Sequence, residues 1–158
     1  MTVICWRNGV LASDGRVTEE NAIFSNRHQK IFRLKSGGLI ASAGDAGGED
    51  LVEFLNKLKK PLPSHKQLTS LEFEFTALWI KPDGQVWVLE AARDKETQKY
   101  TAGIFDIKDP YIAIGSGAAW AMGAMERGAS AEQGVKTAIR FDNNCGGTIQ
   151  KVKLIDGE

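Results

Sequence analysis

A threonine, a carboxylate and a lysine near the start of the chain have the side chains that nucleophilic catalysis requires. Thr2 follows Met1, so removal of Met1 would give Thr2 a free α-amine beside its hydroxyl. A neutral hydroxyl is a weak nucleophile, and an N-terminal amine with a pKa of about 8 is a recognised base for activating it. Asp14 and Lys30 would add a pair of opposite charges, which favours ionised states at such a site.

Each of these residues also has an ordinary structural interpretation. Threonine suits a strand, an aspartate before a glycine is typical of a turn, and a lysine in a strand usually faces solvent. For any one residue alone, the structural interpretation is favoured. Catalysis is favoured only when they occur together within a matching set of motifs.

The composition indicates one globular domain over residues 1–158. The hydrophobic fraction is 42% and the charged fraction 25%, which together are typical of a chain with an ordinary core. Twenty basic residues balance twenty acidic ones, which argues against a nucleic-acid partner. We find no leader pattern and no apolar run of about 20 residues, so we expect no membrane contact and a cytoplasmic location. Two cysteines are too few for a disulfide framework, and we expect both to be reduced thiols.

Turn residues and apolar patterns predict three hairpins. The first surrounds Asn8-Gly9, a dipeptide that favours tight hairpin turns. The second turns at residues 36–38 and the third at Pro82-Asp83-Gly84. Their predicted strands are Thr2–Arg7 with Val10–Ser13, Lys30–Leu34 with Leu39–Ala43, and Leu71–Ile80 with Gln85–Ala91.

Helical spacing predicts three helices, and the remaining pattern adds two more strands. The helices are Glu49–Lys59, Ala118–Arg127 and Ala131–Phe141, and the strands are Tyr111–Ile114 and Thr148–Ile155. Pro61 and Pro63 end the first helix, which predicts a loop over Lys60–Ser70, and Ala92–Pro110 has no clear pattern. This order of elements favours an α+β fold, an antiparallel sandwich covered by helices.

Six segments, in this order, resemble the proteasome β-subunit family of N-terminal nucleophile hydrolases, which includes a bacterial heat-shock peptidase. They are Thr2–Ile4, Ala12–Thr18, Lys30–Ile31, Ala43–Gly48, Ala113–Gly117 continuing to Gly128, and Phe141–Gly147. The resemblance implies a four-layer αββα sandwich of two antiparallel sheets. The loop after the first helix implies a reduced helix layer on one face.

The separation of Thr2 from Asp14 is about four residues shorter than the family pattern, or about two residues on each arm of the first hairpin. Because side chains alternate along a strand with period two, both residues keep their facing. Aligning Met1 with the nucleophile would reverse the facing and lose the hydroxyl. Thr2 is therefore the better assignment.

The resemblance implies a role for each matching residue. Thr2 would be the nucleophile, Lys30 would place its ammonium beside the Thr2 hydroxyl, and Asp14 would hold Lys30. Gly44 would supply an oxyanion-hole amide, although it also reads as a strand-ending glycine. The supporting and substrate-binding positions are Ser116 and Asp142 near the amine, and Thr18, Ser42, Ala43 and Ala46 along the substrate.

Cys145 departs from the family pattern because serine is usual at its position. A thiol donates a weaker hydrogen bond than a hydroxyl, so we expect Cys145 to support the amine less well than serine would and activity to be lower. Gly115-Ser116-Gly117 can also be interpreted simply as a turn.

The resemblance implies a self-compartmentalising threonine endopeptidase without cofactor or metal. Its implied partners are an unfolded polypeptide substrate and copies of itself in a homo-oligomeric ring or double ring, with a ring ATPase unfoldase as a further candidate. Two alternatives remain open: a catalytically silent assembly subunit that retains Met1, and a small-molecule amidase of the same superfamily.

Overall fold

The computed structural model describes residues 2–44 and 48–155. The strands in these ranges are β1 (Ile4–Arg7), β2 (Val10–Ser13), β3 (Val17–Glu19), β4 (Ala22–Ser25), β5 (Ile31–Arg33), β6 (Leu39–Gly44), β7 (Phe75–Ile80), β8 (Val86–Arg93), β9 (Tyr100–Ile107), β10 (Tyr111–Ile114) and β11 (Gln150–Lys153). The helices are α1 (Gly48–Lys57), α2 (His65–Thr69), α3 (Ala118–Glu126) and α4 (Ala131–Phe141).

The chain divides into two units, and each is described by itself. The terminal unit comprises Met1–Ile31 and Lys108–Glu158, and the central unit comprises Phe32–Ile107. The single-domain organisation that the composition favours stays a prediction.

The terminal unit is an antiparallel sheet covered on one face by two helices. The strand order is β10-β1-β2-β11, and β3 and β4 form a separate two-stranded sheet. Helix α3 packs on β10 and β1, and α4 packs on β1 and β2. Small and sulfur-containing side chains form the interface, which includes Val3, Cys5, Ala12, Met125 and Cys145. These small residues let the helices lie close to β1 and β2, the strands next to Thr2 and Asp14.

The central unit repeats this two-layer arrangement with other residues. Its strand order is β5-β6-β7-β8-β9, and α1 and α2 cover it. The apolar stripe of α1 buries Leu51 and Leu55 in a core with Ile40, Trp79 and Leu89. The regular spacing of these leucines explains why this helix was predictable.

Local signals in the sequence account for the elements that were predicted correctly. Asn8 and Gly9 have φ angles of 51° and 76°, which are the positive values that a tight hairpin turn requires. Ser130 caps α4, since its hydroxyl accepts from the Gln133 amide while the Gln133 side chain accepts from the Ser130 amide. The predicted hairpins and three longer helices are therefore confirmed, with ends that differ by a few residues.

Three stretches differ from the prediction. Residues 60–70 contain the five-residue helix α2 rather than a continuous loop, and its capping box uses Ser64 and Gln67. Residues 92–110 contain β9, an edge strand whose residues are half-buried or exposed except for Gly103, so that burial alternates little along it. Residues 17–25 form the β3–β4 hairpin, which the pattern did not indicate because three residues of β4 are exposed. Within residues 2–44 and 48–155, no helix is long and apolar enough to cross a membrane.

Candidate active site

Thr2, Asp14 and Lys30 lie together in the terminal unit. The Lys30 ammonium donates to Thr2 Oγ1 at 2.9 Å and to Asp14 Oδ1 at 2.8 Å. The Lys30 and Asp14 side chains are only 5% and 0% exposed, so this ion pair is removed from water. Electrostatic interactions are stronger in such surroundings than at the surface. The positive charge thus lies where it would stabilise negative charge on the threonine oxygen.

Backbone donors fix the Asp14 carboxylate on both of its oxygens. The Val3 amide donates to Oδ1 at 3.2 Å, and the Gly146 amide donates to Oδ2 at 3.0 Å. With Lys30, the carboxylate accepts three hydrogen bonds, which satisfies a buried charge that would otherwise be costly. Its orientation toward Lys30 is therefore set by the backbone.

Strand ends place these side chains. Thr2 precedes β1, Asp14 directly follows β2, and the hairpin brings the two arms together so that the Asp14 amide donates to the Val3 carbonyl at 3.3 Å. Lys30 lies just before β5, where its backbone amide donates to Gln150 Oε1 at 2.9 Å. The shorter hairpin thus keeps Thr2 and Asp14 on a common site, as the alternation predicts.

The turn after β10 surrounds the Thr2 carbonyl. The Gly117 amide donates to this oxygen at 3.3 Å, and the Ser116 hydroxyl lies 3.5 Å from it. Gly115 has a φ of +97°, and a Cβ at this residue would lie 2.0 Å from the same oxygen. Only glycine permits this close approach, so the turn holds the backbone of Thr2.

Cys145 joins Ser116 to Asp142. Its Sγ lies 3.8 Å from Ser116 Oγ and 3.5 Å from Asp142 Oδ2. Burial raises the pKa of the Cys145 thiol to about 12, and the carboxylates of Asp14 and Asp142 also raise it. Partial burial acts to raise the pKa of Asp142, but hydrogen bonds from the Asn144 amide, the Ser116 hydroxyl and the Cys145 thiol hold it below its ordinary value. The thiol is thus a protonated donor beside a carboxylate.

A family model described as "Proteasome subunit" matches residues 3–148. The chain belongs to the proteasome subunit family. It is 30% identical over 137 residues to the ATP-dependent protease subunit HslV of Anaeromyxobacter sp. (strain Fw109-5), covering 78% of this chain and 75% of the relative. It is 28% identical over 156 residues to proteasome subunit beta 1 of Thermococcus kodakarensis, and the match covers 87% of this chain and 75% of that relative.

Two solved structures have a similar fold. BPH of Thiobacillus denitrificans in complex with epoxomicin aligns with a TM-score of 0.62 at 19% identity, covering 98% of this chain and 99% of that one. HslV from Trypanosoma brucei aligns with a TM-score of 0.61 at 16% identity, and the alignment covers 96% of this chain and 98% of that chain. These likenesses confirm the α+β fold of proteasome-type N-terminal nucleophile hydrolases that the sequence predicted.

Except for Ala46, the remaining residues predicted from the family pattern lie on other elements, β3 and β6. Thr18 is half-buried on β3 of the terminal unit. Ser42 and Ala43 are half-buried on β6 of the central unit, and Gly44 ends that strand with a φ of +127°. Ala46 lies outside the described residues. The functional roles of all these positions stay predictions.

Two contributors to the cluster were not singled out from the sequence. The Gly146 amide was missed because a backbone donor leaves no signal in residue type, beyond its place in the Cys145-Gly146-Gly147 motif. Arg16 lies within a segment that matches the family pattern but had no predicted role, yet its guanidinium contacts the loop that carries Gly146. Because every residue has a backbone carbonyl, the sequence does not show which carbonyls an arginine side chain contacts.

Proposed function

We propose that this proteasome-family chain is a threonine endopeptidase subunit with Thr2 as its N-terminal nucleophile. One observation carries the proposal: the buried Lys30 ammonium donates to both Thr2 Oγ1 and Asp14 Oδ1. In the chain that includes Met1, the Thr2 nitrogen is a peptide amide and cannot accept a proton. The active form therefore requires that everything before Thr2 be removed.

The proposed acylation step transfers one proton and forms one ester. The Thr2 hydroxyl oxygen attacks the peptide carbonyl, and its proton passes to the α-amine of Thr2. Lys30 stabilises the developing negative charge on the threonine oxygen, while the Gly44 amide stabilises the oxyanion of the tetrahedral intermediate. The intermediate then expels the amine product, which takes the proton, and leaves an ester on Thr2. Water, activated by the same α-amine, hydrolyses that ester.

Ser116, Cys145 and Asp142 support the amine in this proposal. Their hydrogen-bonded series ends 3.5 Å from the Thr2 carbonyl oxygen, one residue's backbone away from the nitrogen that becomes the amine. A carboxylate kept ionised by its donors stabilises the ammonium that forms when the amine takes the proton. The thiol weakens this series, which predicts a slower enzyme than one with serine.

The proposed substrate is an unfolded polypeptide that lies along Thr18, Ser42, Ala43 and Ala46. Thr18 and Ser42 can bond its backbone, and the alanines leave room for a side chain. The family pattern at these positions is the support for this proposal. The shape of the pocket would determine which residue is preferred at the cleavage site. A library of peptide substrates would measure that preference.

The proposed assembly is a homo-oligomeric ring or double ring. The support is helix α3, whose outward face carries Ala119, Trp120 and Gly123, so that the helix has no charged residue before Glu126. Trp120 is 48% exposed and stacks on Phe141, which is 54% exposed. A helix that is apolar on every side is usually buried on every side, and the relatives are named as subunits. A second copy of this chain is therefore the proposed occupant of this face.

The name of the Anaeromyxobacter relative describes an ATP-dependent protease subunit. We therefore propose a ring ATPase unfoldase as a partner of this chain.

Sedimentation of wild type and Trp120→Glu would test self-assembly. The wild type should sediment as a ring and the variant as smaller species. A wild-type monomer that hydrolyses only one small amide would instead indicate the amidase.

The experiment that tests the peptidase compares three proteins of verified intact mass. The first begins at Thr2, the second is identical but keeps an uncleaved N-terminal tag, and the third is Thr2→Ala. Only the first should hydrolyse a fluorogenic peptide, because only it has the hydroxyl and the amine together. Equal activity in the tagged protein would exclude Thr2 as the nucleophile. Inactivity of the first protein would favour a silent assembly subunit.

A further inference from the structure

Arg16 occupies the junction between the loop after β2 and the loop after α4. Its Nε donates to Asn26 Oδ1 at 2.9 Å, and its Nη1 approaches the carbonyl oxygens of Asn143 at 3.3 Å and Cys145 at 3.5 Å. One guanidinium therefore contacts one side-chain amide and two successive parts of the 143–146 loop. Such a planar group with several fixed donors holds a loop more rigidly than a flexible ammonium can.

The same guanidinium packs directly against Gly146. A Cβ built on Gly146 would lie 2.3 Å from Arg16 Cζ and 2.5 Å from one of its terminal nitrogens. A methyl group at this position would therefore displace the arginine side chain that covers it.

The 143–146 loop delivers a donor to each half of the proposed site. Its Gly146 amide donates to Asp14 Oδ2 at 3.0 Å, and its Cys145 thiol contacts Ser116 and Asp142. The loop is also tied to the residue after Asp14, because the Gly15 amide donates to the Gly146 carbonyl at 3.0 Å. Movement of the loop would therefore change the Lys30 side and the Asp142 side of Thr2 together.

We propose that Arg16 is a positioning residue, which clamps the 143–146 loop so that Gly146 fixes the Asp14 carboxylate and, through it, Lys30. This proposal rests on the proposed threonine peptidase. Without the Gly146 donor, the carboxylate loses the bond on Oδ2 and can turn about its own axis. Oδ1 then no longer holds the ammonium against Thr2 Oγ1. Arg16 acts through these groups and touches no reacting atom.

The test measures covalent labelling by epoxomicin on protein that begins at Thr2, in wild type, Arg16→Ala, Arg16→Lys and Arg27→Ala. Arg27 is the matched control, because it is exposed on the adjoining segment. Loss of hydrogen bonds to a charged site predicts that Arg16→Ala lowers the labelling rate at saturation by about tenfold or more. The concentration of epoxomicin for half-maximal rate should stay within about twofold, because substrate contacts are kept.

Arg16→Lys should recover only part of the rate, since the single nitrogen of an ammonium cannot occupy the positions of both Nε and Nη1. Gly146→Ala should resemble Arg16→Ala, because its methyl group displaces the guanidinium. The double variant should be no worse than Arg16→Ala alone, since the two changes remove the same contact. Additive losses in the double variant, or a full wild-type rate in Arg16→Lys, would overturn the proposal.

Hydrogen exchange of residues 143–148 provides a readout that is independent of peptidase activity. Arg16→Ala should increase exchange at the Gly146 amide, while Arg27→Ala should not. Unchanged exchange in Arg16→Ala would overturn the clamp, and increased exchange with an unchanged labelling rate would overturn its positioning role. A wild type that is exchange-protected but never labelled would instead overturn the peptidase on which the proposal rests.

Discussion

The Lys30 ammonium lies between Asp14 Oδ1 and Thr2 Oγ1, 2.8 Å from the first and 2.9 Å from the second. A buried ion pair is a costly arrangement unless every partner is in place. Here the Asp14 carboxylate also accepts hydrogen bonds from two backbone amides, and the Lys30 ammonium also donates to the Thr2 hydroxyl. The buried charges are therefore satisfied, and in the proposed peptidase the same contacts would prepare Thr2 for nucleophilic attack.

Asp14→Asn should impair both stability and catalysis. The substitution leaves the Lys30 charge without its counter-ion, which predicts a loss of about 3 kcal/mol in the free energy of unfolding. A displaced ammonium predicts a fall in kcat of about a hundredfold. Urea unfolding and peptide hydrolysis measure the two effects. Glu53→Gln is the control, because its ion pair with Lys57 is exposed and should leave both quantities unchanged. Retention of half the wild-type kcat in Asp14→Asn would contradict this prediction.

Cys145→Ser should increase kcat. A hydroxyl donates a stronger hydrogen bond than a thiol, and the shorter bond would draw Ser116 and Asp142 closer around the amine. We expect a gain of about threefold to tenfold, which corresponds to roughly 1 kcal/mol. Steady-state hydrolysis of a fluorogenic peptide measures it, and Cys5→Ser, in the same core but without a contact to Asp142, serves as control. A loss of kcat in Cys145→Ser would show that the thiol is the better fitted group.

Alkaline pH should destabilise the protein through its buried thiols. Burial raises the pKa of Cys5 and of Cys145 to about 12. In the unfolded chain a thiol loses its proton at about pH 8.5, whereas the folded protein keeps it. The unfolded state then binds fewer protons, so the free energy of unfolding falls as pH rises from the unfolded pKa toward the folded one.

Each thiol contributes a slope of about 1.4 kcal/mol per pH unit in this window. Because lysines also titrate there, the measured quantity is the difference in unfolding free energy between wild type and Cys145→Ser. The wild-type value minus the variant value should decrease from about pH 9 to about pH 11, because both pH values lie between the unfolded and the folded pKa of Cys145. Neither thiol should react with iodoacetamide in the folded protein at pH 8. A difference that is independent of pH would contradict the buried state of Cys145.

Gly115→Ala should abolish activity, whereas Gly123→Ala should stabilise α3 in the single chain. A methyl group at Gly115 would collide with the Thr2 carbonyl oxygen, and the φ of +97° adds backbone strain. At Gly123 on α3 a methyl group meets nothing within 4 Å, and replacing a helical glycine adds about 0.5–1 kcal/mol of stability. Thermal unfolding and peptide hydrolysis of both variants measure these outcomes. An active Gly115→Ala would show that the position of Thr2 tolerates displacement.

The sequence predicted elements wherever one residue determines the local backbone. Asn8-Gly9 indicated the first hairpin, and Ser130 with Gln133 indicated the start of α4. It failed at β9, because the preceding turn uses the Asp94 side chain, which accepts from the amides of Glu96 and Thr97, in place of a glycine or proline. Side-chain turns of this kind have no distinctive composition.

For the candidate site, the family pattern indicated Thr2, Asp14 and Lys30, and the fold places them within hydrogen-bond distance. The pattern could not indicate the Gly146 amide, because every residue except proline has such a donor. Nor could it indicate the contact of Arg16 with Gly146, since that contact depends on how two distant loops pack. Chemistry of side chains is readable from sequence, whereas the backbone groups that orient it require the structure.

Mapping the epoxomicin adduct tests the central claim most directly. Protein shown by intact mass to begin at Thr2 is treated with epoxomicin, digested and analysed by tandem mass spectrometry, with Thr2→Ala and Thr137→Ala treated in parallel. We predict one adduct per chain, located on Thr2, absent from Thr2→Ala and retained in Thr137→Ala. No adduct on the Thr2-initiated protein, or an adduct on any other residue, would contradict the assignment of Thr2 as the nucleophile.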